Sequence, residues 1–242
     1  MASKQNGIFA GIVFTILAIL VGTGAFVWWR WRRQELTPLA AAQMIPDDAL
    51  LSAHLSSDPK HWAKLEEFGT VEARQLIKDN FQALSAQFSE ETQLTYAGDI
   101  QPWLGNVAIA LIPASDSGPS SLLGIVDIKN QLKALEFLKK LQNQGQVQQR
   151  DIEDYQGVGI TELVDDRGSK FYTAILDNRL IVAGELTAVQ GAIGAAKNEP
   201  SLAEKNETRE LFSPRGTLEQ PILQVYLTDY ANLVRQTLTE NG

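Results

Sequence analysis

Between Gly7 and Trp29 the chain runs for 23 residues, GIFAGIVFTILAILVGTGAFVWW, without a charge. A bilayer's hydrocarbon core is about 30 Å thick and a helix rises about 1.5 Å per residue, so about 20 apolar residues suffice to cross it. The stretch predicts a single transmembrane helix. A cleaved leader has a shorter apolar core followed closely by a small-x-small site. Here the run ends in Trp28-Trp29-Arg30-Trp31-Arg32-Arg33, rings and cations that belong at a headgroup boundary. An uncleaved anchor over residues 1–33 is expected, with the remaining chain on one side of a membrane.

One side of that helix is small. Gly7, Gly11, Thr15, Ala18, Gly22 and Ala25 recur at spacings of three and four, which keeps them on one face. They form a candidate face for association with a membrane-protein partner or a second copy. The alternative is that small residues are simply common in membrane helices. Flanking charge weakly favours a cytoplasmic domain, because three arginines follow the run and only Lys4 and the amino terminus precede it.

After residue 33 the chain carries 29 Asp and Glu against 17 Lys and Arg, a net charge of −12. Such a surface repels phosphates, so nucleic acid is excluded as a partner, and it stands off anionic headgroups. The absence of cysteine removes disulfides, thiolate catalysis and Cys-based zinc sites.

The pattern after the anchor is α+β. Residues 34–48 read as a linker with a short helix, capped by Thr37 with Pro38 at its first position. Residues 49–242 read as the soluble domain. Ala49–Ser56 alternates as a strand. Asp58-Pro59 and Thr70 open two helices, the second with Leu76, Ile77, Phe81, Leu84 and Phe88 on one side. Strands follow at Asn106–Ile112 and Leu122–Ile128, then a helix from Gln131 capped by Asn130. Four strands over 147–183, with turns at Asp165-Asp166-Arg167-Gly168 and Asp177-Asn178, read as an antiparallel meander. Two helices over 185–212, a strand at Ile222–Leu227 and a last helix from Asp229 complete the chain. The stretches at 50–59, 122–131, 180–189 and 222–231 each read as apolar strand, polar cap, helix. Their irregular separation excludes a solenoid and suggests two duplicated halves, with helices covering one face of a mostly antiparallel sheet.

Chemistry is sparse. His54 and His61 are the only histidines, and their placement in a strand and the next helix offers no metal-binding face. The acidic pairs Asp47/Asp48, Glu66/Glu67, Glu90/Glu91, Asp151/Glu153/Asp154 and Asp165/Asp166 lie at turns and helix ends. There they are solvated rather than poised for acid–base work. Gly157 and Gly159 precede a strand rather than a helix, the wrong order for a phosphate loop. Gly191 and Gly194 read as close-packing positions. Trp103, between Pro102 and Gly105, is either a core plug or a ligand or partner contact.

Pro46-Asp47-Asp48-Ala49, Asp58-Pro59, Pro102-Trp103-Leu104-Gly105, Tyr155-Gln156-Gly157-Val158 and Asp177 through Gly184 together resemble a family known as domain of unknown function 3352, common in cyanobacteria. The resemblance covers most of residues 38–240. It implies an α+β domain after one hydrophobic segment, exported to the periplasm or thylakoid lumen, against the lean of the arginines. It carries no activity, cofactor or binding residue.

The expectation is a single-pass, membrane-anchored, non-enzymatic protein that binds a partner protein or assists a membrane complex, without a cofactor. The alternatives are a small-ligand or lipid module with a pocket near Trp103, and a carboxylate-dependent hydrolase.

Overall fold

The computed structural model describes residues 35–58, 70–113, 120–144, 147–165, 168–212 and 221–228. Its helices are α1 (Pro38–Ala42), α2 (Val71–Thr92), α3 (Gln131–Asn143), α4 (Leu186–Lys197) and α5 (Asn206–Phe212). Its strands are β1 (Leu51–Leu55), β2 (Leu104–Ile112), β3 (Ser121–Ile128), β4 (Val147–Tyr155), β5 (Val158–Asp165), β6 (Lys170–Leu176), β7 (Arg179–Ala183) and β8 (Leu223–Leu227). A π-helical turn at Tyr96–Ile100 leads from α2 to β2. All eight strands join one sheet in the order β4-β5-β6-β7-β3-β2-β1-β8, every neighbouring pair antiparallel.

The meander β4 to β7 owes its register to its turns. Gln156 and Gly157, and then Asp177 and Asn178, all have positive φ (49°, 75°, 49° and 65°). Two successive left-handed residues give a hairpin turn whose twist matches the strands. Asn178 is fixed further by its side chain, which donates to the Ile128 carbonyl and accepts from Gln131 Nε2. Asn130 caps α3 by accepting from the Lys133 N–H at 3.2 Å.

Alternation along each strand splits the apolar residues between two faces. Ala108, Ala110, Leu123, Ile125, Ile160 and Ile181 face α1, α4 and α5, whose Ala41, Ala42, Val189, Ile193 and Phe212 complete that core. Val126, Ile128, Leu163, Leu180 and Val182 face the other way, against Phe88 of α2, Ile100, Trp103 and α3. On α3 the buried residues are Ala134, Phe137, Leu138 and Leu141, a helical i, i+3, i+4, i+7 stripe. Burying a Leu or Phe there contributes about 1.5–3 kcal/mol each.

The approach of β2 to β3 requires a glycine. At Gly105 the register shifts, and a Cβ would stand 2.6 Å from both the Cβ and the backbone oxygen of Asp127. Gly105→Ala is expected to cost about 1–3 kcal/mol, read as a lower urea midpoint.

Several expectations need correction. Among the described residues no helix is long and apolar enough to cross a membrane. The longest, α2, has 22 residues but carries Glu72, Arg74, Lys78, Asp79, Glu90 and Glu91, charges that hydrocarbon does not tolerate. The transmembrane helix expected from Gly7 to Trp29 lies outside the described residues, as does its small face of Gly7, Gly11, Thr15, Ala18, Gly22 and Ala25. The single-pass assignment and the integral membrane partnership that rested on it are not supported, and neither is the single-pass periplasmic or lumenal placement that the family resemblance implied. The helices cover both faces of the sheet rather than one. The sheet is continuous, and the recurring strands pair directly, β1 with β8 and β3 with β7.

Candidate functional site

The segment before β1 is more than a linker. Leu36, Ala41, Ala42, Met44 and Ile45 are all buried in the first core. The peptide of Leu36 is held by side chains from three strands. Its carbonyl accepts from His54 Nε2 of β1 at 2.7 Å and from Asn106 Nδ2 of β2 at 3.2 Å. Its N–H donates to the Asp127 carboxylate of β3. A carbonyl only accepts, so the His54 proton sits on Nε2 and Nδ1 is left bare. Nδ1 is buried with no partner. Desolvation holds the His54 pKa below its ordinary value, offset in part by the bond to Leu36. Burial raises Asp127, opposed by Arg179 and by the Leu36 N–H, with Glu35 adding to the rise.

Beside this clamp lies a cavity of about 400 Å³ between α1, the β6–β7 turn and the end of α4. Leu39, Met44, Leu176 and Ala196 give it apolar walls, and Glu35, Asp177 and Arg179 its charges. The Arg179 Nε is buried without a hydrogen-bond partner, its Nη1 donates to the Met44 sulfur at 3.5 Å, a weak acceptor, and its charge also acts on the Asp127 carboxylate.

Trp103 lies elsewhere. It is 0% exposed, packs on Phe137 with ring centroids 5.4 Å apart, and donates from Nε1 to the Asp99 carbonyl at 2.7 Å. It presents no surface to a ligand, and the cavity does not touch it. His61 and the Glu66/Glu67 pair lie outside the described residues. Asp47 and Asp48 sit together, and burial, then Asp47, raises the Asp48 pKa. Among the described residues no group of three His, Cys, Asp or Glu could hold a metal ion.

Among the described residues, α2 carries an exposed apolar feature. Leu76, Phe81 and Leu84 are 64%, 51% and 40% exposed. Near the end of the helix Phe88 joins the core against the sheet, while Phe81 meets Tyr96 edge-on at 5.1 Å. Sequence periodicity found this stripe. It did not reveal that Leu76, Phe81 and Leu84 stay exposed while Phe88 is buried, since spacing shows that a face is apolar and not what it meets. The Leu36 clamp left no sequence signal, because it joins residues 18, 70 and 91 positions apart.

A continuous antiparallel sheet with helices on both faces defines a layered α+β domain. The chain belongs to the family described as "Protein of unknown function (DUF3352)", whose model matches residues 12–242. No curated protein matches it. It is similar to a solved structure, "Structure of crystal form III of TP0453", with a TM-score of 0.43 and 10% identity, over 82% of this chain and 67% of that one. A likeness that loose carries no argument about role.

Proposed function

We propose that this is a non-enzymatic domain that binds a partner protein through the apolar side of α2. The observation that carries the reading is the exposure of Leu76, Phe81 and Leu84 on one regular element. Apolar stripes left on a helix in water are the usual anchors of helix-in-groove recognition. The chain's net charge of −8 selects a partner whose rim is basic, because complementary charge speeds encounter and rejects wrong partners. A photoreactive residue at 84 should give a discrete cross-linked adduct in cells, and one at exposed Lys139 on α3 should not. The same adducts from both positions, or none from 84, would refute the proposal. The double variant L76Q/L84Q should lose the adduct formed from a photoreactive residue at 81. Its unfolding free energy should stay within about 0.5 kcal/mol of the parent for each substitution, as for exposed sites generally.

A second reading rests on Arg179. A buried guanidinium nitrogen without an acceptor beside a 400 Å³ cavity suits a small polar molecule with an acceptor group. Native mass spectrometry of the purified chain should then show a retained small molecule that R179Q loses. Retention by both forms, or by neither, would remove this reading.

A further inference from the structure

The sheet has two edges, and they differ in kind. At one edge β4, VQQRDIEDY, carries Arg150, Asp151, Glu153 and Asp154 and is broken by a register shift between Asp151 and Glu153. Charges and bulges are the usual protection of an edge strand against pairing with another chain. At the other edge β8, LQVYL, has no charge and no proline. It pairs with β1 without any register shift, from Leu51 opposite Leu227 to Leu55 opposite Leu223. Among the described residues β8 has a strand neighbour on one side only.

The direction of its free groups follows from the hydrogen bonds it makes. The Ser56 N–H donates to the Ile222 carbonyl and the Thr228 N–H to the Leu50 carbonyl. Even-numbered residues therefore bond inward to β1. In an antiparallel ladder the alternate residues bond the other way, so the N–H and C=O groups of Leu223, Val225 and Leu227 point outward. Their side chains share one face with Leu55, and Val225 is 49% exposed. The opposite face of the strand is held in place, with Tyr226 edge-on to Phe212 at 6.0 Å and Gln224 Nε2 donating to the Leu211 carbonyl at 2.9 Å.

We propose that β8 is a dimerisation edge, and that the partner is β8 of a second copy of this chain. The strand is self-complementary about Val225. A two-fold axis there sets Val225 opposite its own mate and Leu223 opposite Leu227 of the other copy. All of these residues carry outward backbone groups, so each opposed pair exchanges two hydrogen bonds. Every cross-strand pair on the Leu223 face is then apolar. The Gln224 and Tyr226 pairs on the other face bring no like charges together. The same operation on β4 would set its carboxylates against one another. An isologous two-fold contact also closes, and so stops at two copies rather than running on as a fibre.

The chain contains no cysteine, so single introduced thiols report on this geometry in the full-length protein. Across the axis the two residues at 225 have Cα atoms about 5.5 Å apart, within the range a disulfide spans. The two residues at 223 lie about 13 Å apart, being four positions out of register. Under mild diamide oxidation V225C should become mostly covalent dimer, while L223C should stay largely uncross-linked. Cross-linking of both at equal rates, or of neither, would overturn the proposal. An independent arm uses V225K, which sets two ammonium groups on the axis while substituting a half-exposed side chain. Sedimentation velocity should show dimer affinity falling at least tenfold, with the far-ultraviolet circular dichroism spectrum of the folded chain unchanged. Unaltered association of V225K would refute the edge as the interface.

Discussion

Trp103→Ala is expected to lower the free energy of unfolding by about 3–5 kcal/mol, the usual cost of deleting a buried large aromatic. The indole is 0% exposed and is held by an aromatic contact with Phe137 and by its hydrogen bond to Asp99. It closes the second core where the π-helical turn hands the chain to β2, so three elements lose contact at once. A domain's whole stability is about 5–15 kcal/mol, so the variant should unfold at a much lower urea concentration. Trp103→Phe separates the contributions. It keeps most of the packing and leaves the Asp99 carbonyl without its donor, a loss of about 1 kcal/mol. Urea titrations followed by far-ultraviolet circular dichroism read both. An alanine variant as stable as the parent would show that this core does not hold the turn.

His54 predicts the second large effect, a loss of stability in mild acid. Burial depresses its pKa in the folded state below the ordinary value of about 6.5. The unfolded chain therefore binds the proton more readily, and the stability is fully present above about pH 6.5. It is lost as pH falls through the folded pKa, at about 1.4 kcal/mol for each unit of depression. The physical cause is Nδ1, which on protonation becomes a second donor with no acceptor in reach. Asp48 and Asp127 have raised pKa values. Their contribution has the opposite sign: it is present below about pH 3.8 and lost as pH rises through their folded values. They consequently steepen no acid loss, and the histidine is isolated by difference. In His54→Gln the slope of stability against pH below 6.5 should flatten. The same slope in parent and variant would place the titration elsewhere.

How far such features could be read from the residues depends on their range. The meander was legible because each of its turns is written locally, in Gln156-Gly157 and Asp177-Asn178, by residues that tolerate positive φ. The caps Thr37 and Asn130 marked helix starts for the same reason. Burial of the 35–45 segment was not legible. A short run with Thr-Pro at its start looks the same whether it crosses solvent or lies on a sheet, and only the distant donors His54 and Asn106 decide. Trp103 could be read two ways, since a tryptophan between Pro102 and Gly105 fits both a plug and a contact. The apolar side of α2 was found by period, but its contacts depend on which turns reach the sheet. Partnering of β8 with β1 lay beyond any local signal, as did the coverage of both sheet faces.

That last pairing sets an order of events during synthesis. Among the described strands β1 is made first and β8 last, with Leu51 waiting for Leu227. Bringing such distant segments together is the slow part of forming a sheet. Until β8 leaves the ribosome, β1 is itself a bare border of the growing sheet, lined on one side by Leu51, Ala53 and Leu55. A nascent chain stalled before residue 222 therefore offers a different adhesive strand from the finished protein. Fragments ending there should aggregate through β1, and supplying the sequence of β8 as a separate peptide should suppress it.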